Sequence, residues 1–170
     1  MKQEKSVQDL FHLKGKAAVI TGGAGLLGYK HAEALMEAGA DCVLVDIAKE
    51  RAKELAAELS HRFPGRAIGA YGDITSKKDI ENLKKIVLEE FGAVHILINN
   101  AANNPKYEEL ESGADSTRRF ETFPVKKWEE DIGVGLTGAF LCSQVFGTYF
   151  AEKGEGVILN ISYYLGVIVP

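Results

Sequence analysis

Short apolar runs and longer amphipathic stretches take turns along this chain. Five runs are almost wholly apolar: Lys16–Thr21, Cys42–Val45, Ala67–Tyr71, His95–Ile98 and Val157–Ile161. Near-continuous apolar character, without polar alternation, suits parallel strands covered on both faces. Helical spacing fills the intervals. Leu27, His31, Ala34, Leu35 and Ala38 predict the inward face of a helix from Leu27 to about Ala38, stopped by Gly39. Over residues 48–60, Leu55, Ala56 and Leu59 sit at core spacing, and Lys49, Glu50, Arg51, Lys53, Glu54 and Glu58 form a solvated face. Ser76 is the expected N-cap of a third helix, with Asp79 three residues on. Ile80, Leu83, Ile86, Val87 and Phe91 give that helix its apolar face. A last helical pattern, from about Val125 to Glu152, is weakened by Gly133, Gly135, Gly138 and Gly147.

Strand and helix alternating in this way predict an α/β fold: a three-layer, doubly wound parallel sheet. Right-handed crossovers place five strands in the order 3-2-1-4-5. Ligand is then expected beyond the carboxyl ends of the strands, where the first and fourth lie side by side. Residues 1–14 read as a polar arm that Phe11 and Leu13 would pin to a domain over residues 15–170. Residues 103–125 break the pattern with Pro105, Gly113, Pro124 and many charges, and are long for a plain connection. Within them Arg118 and Arg119 could meet an anionic substrate, although a solvated pair is the simpler reading.

Composition narrows the class. A chain of 170 residues with 46% hydrophobic and 26% charged residues is ordinary for a soluble globular domain. A net charge of −4 disfavours nucleic acid or an anionic membrane as the main partner. Cys42 and Cys142 belong to no metal-type spacing and read as a reduced thiol pair, and four scattered histidines suggest no metal site. No apolar run reaches transmembrane length, and the first fifteen residues lack a signal-peptide core. The expected location is the cytoplasm.

The candidate chemistry gathers at the strand ends. The first strand runs into Thr21-Gly22-Gly23-Ala24-Gly25-Leu26-Leu27-Gly28, where Gly23, Gly25 and Gly28 fit G-x-G-x-x-G. A tight turn, close backbone approach and a helix N-terminus are what a pyrophosphate needs. Thr21, Gly22, Gly23, Gly25, Leu26, Leu27 and Gly28 are therefore expected cofactor contacts. Asp46 ends the second strand, eighteen residues after Gly28. Its carboxylate can accept from both ribose hydroxyls of adenosine and would repel a 2′-phosphate, so NAD is favoured over NADP. The competing reading is a surface Asp that starts the next helix. Asp73, with Ile74 beside it as Ile47 stands beside Asp46, reaches toward adenine or else caps the approach to a helix. Asn99 and Asn100 are polar for the end of a buried strand. One of them is expected to bridge neighbouring strands while the Ala101 backbone faces the cofactor ribose.

Taken together, these residues resemble the short-chain dehydrogenase/reductase family. The matching segments are Thr21–Gly28, Asp46, Asp73, Asn99-Asn100-Ala101, Leu136-Thr137-Gly138-Ala139-Phe140 and Gly156-Val157-Ile158-Leu159-Asn160-Ile161-Ser162. Thr21, Gly22, Gly25 and Gly28 fit T-G-x-x-G-x-x-G, the form of larger sugar-nucleotide enzymes; the later motifs point to the single-domain branch. The resemblance implies a Rossmann domain, NAD or NADP, hydride exchange between an alcohol and a carbonyl on a small-molecule substrate, and a homo-oligomer. It also implies that the last strands of the family fold are missing. The family's chemistry uses a Tyr-x-x-x-Lys pair, a Ser and an Asn. The resemblance puts Gly135 at the Asn position and Tyr163 at the Ser position, with Ser162 one residue early. A Tyr-x-x-x-Lys pair following by about a dozen residues would fall beyond Pro170. Tyr149 and Lys153 have the spacing, but fourteen helical residues at about 1.5 Å each carry Tyr149 roughly 20 Å from the site. The expectation is an NAD-binding chain of oxidoreductase descent with impaired catalysis. Its alternatives are a non-catalytic dinucleotide-binding module or partner subunit, and a fragment without function of its own.

Overall fold

Five parallel strands form one sheet in the order β3-β2-β1-β4-β5. The structure, a computed structural model, describes residues 11–103 and 120–162. The strands are β1 (Ala17–Thr21), β2 (Asp41–Asp46), β3 (Ala67–Tyr71), β4 (Ile96–Asn99) and β5 (Val157–Asn160). The helices are α1 (Leu26–Glu37), α2 (Lys49–Arg62), α3 (Lys77–Phe91), α4 (Val125–Ile132) and α5 (Ala139–Lys153). The predicted doubly wound order is the observed one. Arg118, Arg119, Tyr163 and most of the 1–14 arm lie outside the described residues.

Alternation along each strand splits the core into two layers. Val19, Val43, Val45 and Leu97 point to α3 and α5, where they meet Ile80, Leu83, Val87, Cys142, Val145 and Phe146. Ala18, Ile20, Cys42, Leu44 and Ile98 point the other way, to Ala32 and Met36 of α1 and to Ala52, Leu55, Ala56 and Leu59 of α2. Each large side chain buried in this way contributes about 1.5–3 kcal/mol, and the two charged residues of β2, Asp41 and Asp46, stand at its ends. At β5 the second layer runs out: Ile158 packs on the α5 side, while Val157 and Leu159 are exposed.

The expected face of α1 needs correction. Its buried residues are Gly28, Ala32 and Met36, and Leu27 is exposed. The buried stripe starts at a glycine, which no count of apolar residues registers. The arm is also pinned differently. The Leu13 N–H donates to the Ala38 carbonyl at 2.8 Å, whereas Phe11 is exposed. The third helix follows expectation: the Ser76 hydroxyl accepts from the Asp79 N–H at 3.3 Å, and Ile80, Leu83 and Val87 are buried. Ile86 is the exception; it is exposed, beside a groove it shares with Ile68 and Tyr71 of edge strand β3.

Between α4 and α5 the Gly133–Gly138 segment is π-helical, so Val125–Lys153 is one continuous helical run. By length and composition alone this run could cross a membrane, which the reading of apolar runs in the sequence had excluded. Its Cys142, Val145, Phe146, Tyr149 and Phe150 are buried against the sheet, as in a core helix. Val125, Trp128, Leu136 and Phe140 on the same run are exposed.

Candidate functional site

The turn after β1 is shaped by backbone contacts that leave no room for side chains. Gly22 has a φ of +65°, and a Cβ there would stand 2.9 Å from the Ala101 Cα. The Gly23 N–H donates to the Val45 carbonyl at 2.9 Å, and a Cβ on Gly23 would lie 2.7 Å from the Leu44 Cα. A Cβ on Gly28 would land on the Gly22 carbonyl oxygen. These approaches bring the ends of β1, β2 and β4 and the start of α1 to one place. Gly25 is the N-cap of α1, with no side-chain cap, and the first turn carries no acidic residue. The amide groups at Leu26 and Leu27 therefore offer an anion the positive end of a twelve-residue helix without a carboxylate competing.

Polar side chains lock the neighbouring strands at the same level. Thr21 Oγ1 accepts from the N–H of Asn100 at 3.0 Å and of Ala101 at 3.1 Å. The Asn100 side-chain amide donates to the Thr21 carbonyl at 3.0 Å. Asn99, only 6% exposed, stands in register with Asn160 on β5. Its amide nitrogen donates to Asn160 Oδ1 at 2.8 Å and to Ser143 Oγ at 3.0 Å. The one cross-strand asparagine expected from the sequence is thus two: Asn100 ties β4 to β1, and Asn99 ties it to β5 and α5.

Gly22, Asp46, Ile47, Asp73, Ile74 and Ala101 line a single cleft of about 140 Å³. That is smaller than the roughly 300–1,000 Å³ of pockets that enclose a whole drug-sized ligand. A longer ligand would continue along the open strand ends toward Leu26 and Leu27. Val45, Gly72 and Val134 also line the cleft and were missed in the sequence, where they read as ordinary strand and helix residues. At Gly72 the reason for glycine is one of geometry, which the sequence does not display: a Cβ there would press on Val45 Cγ1 at 2.7 Å. A wider hollow of about 900 Å³ opens at the opposite end of the sheet, among Phe11, Lys14, Ala38, Gly39 and Gly65, and includes none of the predicted site residues.

The two aspartates differ. Asp46 Oδ2 accepts from the Ala24 N–H and Oδ1 from the Ala48 N–H, both at 3.0 Å. Asp73 Oδ1 accepts from the N–H and the hydroxyl of Thr75, at 2.9 and 2.7 Å. Asp73 thus bonds locally, just before α3, while its position borders the cleft.

The residues considered for catalysis in the sequence are scattered. Gly135 lies in the π-helical segment, and a Cβ there would meet nothing within 4 Å. Ser162 is exposed, two residues past β5. Tyr149 is buried in the core, edge-on to Phe150 at 6.3 Å, with the Lys153 ammonium 5.6 Å from its ring centroid. Burial pushes the Cys42 and Cys142 thiols up to about 12, so both stay protonated and unreactive at neutral pH. Among the described residues no group of three or more His, Cys, Asp or Glu side chains could hold a metal ion.

Comparison with known proteins gives one consistent answer. The family model described as short chain dehydrogenase matches residues 16–168. The chain is 33% identical over 155 residues to the 5-keto-D-gluconate 5-reductase of Escherichia coli (strain K12), covering 91% of this chain and 56% of that protein. It is 32% identical over 158 residues to the NAD-dependent glycerol dehydrogenase of Listeria innocua serovar 6a (strain ATCC BAA-680 / CLIP 11262), covering 93% and 56%. The chain spans about half the length of these two relatives. Among solved structures, a short-chain type dehydrogenase/reductase from Mycobacterium marinum superimposes with a TM-score of 0.82 at 26% identity, covering 98% of this chain and 63% of that one. An NADPH-dependent 3-quinuclidinone reductase from Rhodotorula rubra superimposes with a TM-score of 0.80 at 25% identity, covering 100% and 61%.

Proposed function

The chain belongs to the short-chain dehydrogenase family, and we propose that it binds NAD(H) and, as this 170-residue chain, turns over little or no substrate. The observation that carries the reading is the meeting of Gly22, Asp46, Ile47, Asp73, Ile74 and Ala101 at one cleft on the carboxyl ends of the strands. Leu26 and Leu27 amides hold the pyrophosphate at the start of α1, next to the turn built by Gly23, Gly25 and Gly28. Asp46 takes the adenosine ribose, and its negative charge disfavours the 2′-phosphate of NADP. Ile47 and Ile74 flank the adenine beside Asp73. Thr21, Asn99 and Asn100 hold the strand ends in place, and the Ala101 backbone faces the ribose. When bound, the nicotinamide supplies the hydride donor or acceptor for an alcohol–carbonyl pair on a small molecule.

The reading of impaired catalysis rests on Gly135, which has no side chain where the family uses Asn, and on Tyr163 where it uses Ser. The same contrast favours the second reading, a dinucleotide-binding module or partner subunit without turnover. The exposed Val125, Trp128, Leu136 and Phe140 support assembly with further copies of the chain. The buried free thiols Cys42 and Cys142 support a reducing, cytoplasmic setting. Calorimetric titration with NAD+ and NADP+ tests the cofactor. NAD+ is expected to bind at least tenfold tighter; a preference for NADP+ overturns the role given to Asp46. Hydride transfer across a panel of alcohols and ketones tests the rest, and robust turnover by this chain would sink the impaired reading.

A further inference from the structure

We infer that Asp46 is also a positioning residue for the pyrophosphate turn, so that reading of the ribose and shaping of the phosphate site are coupled through one carboxylate. The inference rests on the NAD-binding reading for its ligand and on geometry for its substance. The glycine turn follows β1, yet it is tied to β2 at two consecutive residues. The Gly23 N–H donates to the Val45 carbonyl, and the Ala24 N–H donates to Asp46 Oδ2 at 3.0 Å. The first tie is backbone and survives any substitution. The second depends wholly on the side chain of residue 46. The other oxygen, Oδ1, is fixed by the Ala48 N–H at 3.0 Å, so the carboxylate is held from both sides and cannot swing away from the turn.

A carboxylate offers about four lone-pair positions. Two are taken by Ala24 and Ala48, and two remain. Two vicinal hydroxyls of an unsubstituted ribose fill them as donors. A 2′-phosphate brings negative charge and removes one donor, so it meets both repulsion and an unmet acceptor. Ala24 lies between Gly23 and the N-cap Gly25, two residues before the start of α1. Loosening Ala24 therefore shifts the residues that present the Leu26 and Leu27 amides. Removing the Asp46 side chain to admit NADP would weaken the phosphate site that NADP also needs.

The experiment compares wild type, Asp46→Asn and Asp46→Ala, each as the full chain, for adenosine and for ADP by calorimetry. Adenosine has the ribose but no phosphate; ADP has both. If Asp46 only receives the ribose, each variant weakens the two ligands by the same factor, and that equality overturns the inference. Coupling predicts that Asp46→Ala weakens ADP at least fivefold more than adenosine. Asp46→Asn, which retains one acceptor oxygen, is expected to fall between. A ligand-free measurement separates this claim from the cofactor reading. Hydrogen exchange at the Ala24 amide is expected to accelerate at least tenfold in Asp46→Ala relative to wild type, and by less in Asp46→Asn. Unchanged exchange in both variants overturns the positioning role even if NAD+ binds. Accelerated exchange in a chain that binds neither ADP nor NAD+ supports the positioning role and removes the cofactor reading instead.

Discussion

Replacing Gly28 with Ala sets two known effects against each other. Gly28 is the third residue of α1, and alanine is the better helix former by about 1 kcal/mol. Propensity alone therefore predicts a more stable protein. The added methyl, however, lands on the Gly22 carbonyl oxygen and lies 2.9 Å from the Gly23 Cα. Both are backbone atoms of a turn held by the Gly23–Val45 hydrogen bond and by Ala101 packed against Gly22. Carbon atoms rest at about 3.5 Å or more, so α1 must back away by roughly half an ångström or more. Ala32 and Met36, both fully buried on the same face, move with it. Overpacking of this kind reaches about 3 kcal/mol when a rigid neighbour cannot yield. The net expectation is a loss of about 2 kcal/mol, or a Tm roughly 4–8 °C lower for a chain of this size. Thermal melting by circular dichroism, with urea unfolding as a check, measures it. A variant as stable as wild type would falsify the argument that close backbone approach, rather than backbone freedom, fixes glycine at this position.

Two further outcomes follow from the same structure. Gly135→Ala, where the methyl meets nothing within 4 Å, is expected to gain about 0.5–1 kcal/mol in the same melting assay, and a loss there would mean that the π-helical segment depends on glycine itself. Burial first, and then the charge of Lys16, hold the His95 pKa below its usual 6.5, against an opposing pull from Glu155; the Ala17 N–H also donates to His95 Nδ1, which must stay unprotonated to accept it. The unfolded chain takes up a proton near pH 6.5 and the native chain does not, so this contribution is complete above pH 6.5 and is lost as pH falls toward the native pKa. His95→Gln should flatten that acid limb of stability against pH, and an unchanged limb would remove His95 as its source.

The sheet was legible because apolar runs alternate with helical patterns, and right-handed crossovers then set the order; β5, an edge strand with Val157 and Leu159 exposed, shows that an apolar run alone does not mean burial on both faces. What escaped was geometry that hydrophobicity does not encode. The stripe of α1 begins at Gly28, whose contribution is an absence of side chain, so the visible Leu27 drew the predicted face off by one position. The π-helical turn at Gly133–Gly138 has no periodic signature short enough to see within six residues. At the site the residue types were legible and their partners were not. Asp46 stands out by its place at a strand end, but its bonds to Ala24 and Ala48 depend on how the turn folds back over β2. Asp73 carries the same signal and spends its Oδ1 on Thr75, two residues away. Local hydrogen-bonding capacity, common to every Asp, is what makes such positions ambiguous in sequence.

The glycine spacing of the turn has a physical basis in its backbone contacts. The spacing T-G-x-x-x-G-x-G, the form of most single-domain members of the family, would put glycine at position 26, where this chain has Leu26. The turn itself shows which positions have no space: Gly22, Gly23 and Gly28 each face backbone within 3 Å of an added Cβ, whereas Gly25 only approaches the Gly22 carbonyl at 3.2 Å. Leu26, by contrast, begins α1 with its side chain 81% exposed, and its backbone amide remains part of the helix N-terminus. A side chain that points to solvent places no demand on the fold, so T-G-x-x-G-x-x-G builds this turn without a glycine at position 26. The departure at Leu26 therefore leaves the backbone of the turn and the start of α1 intact.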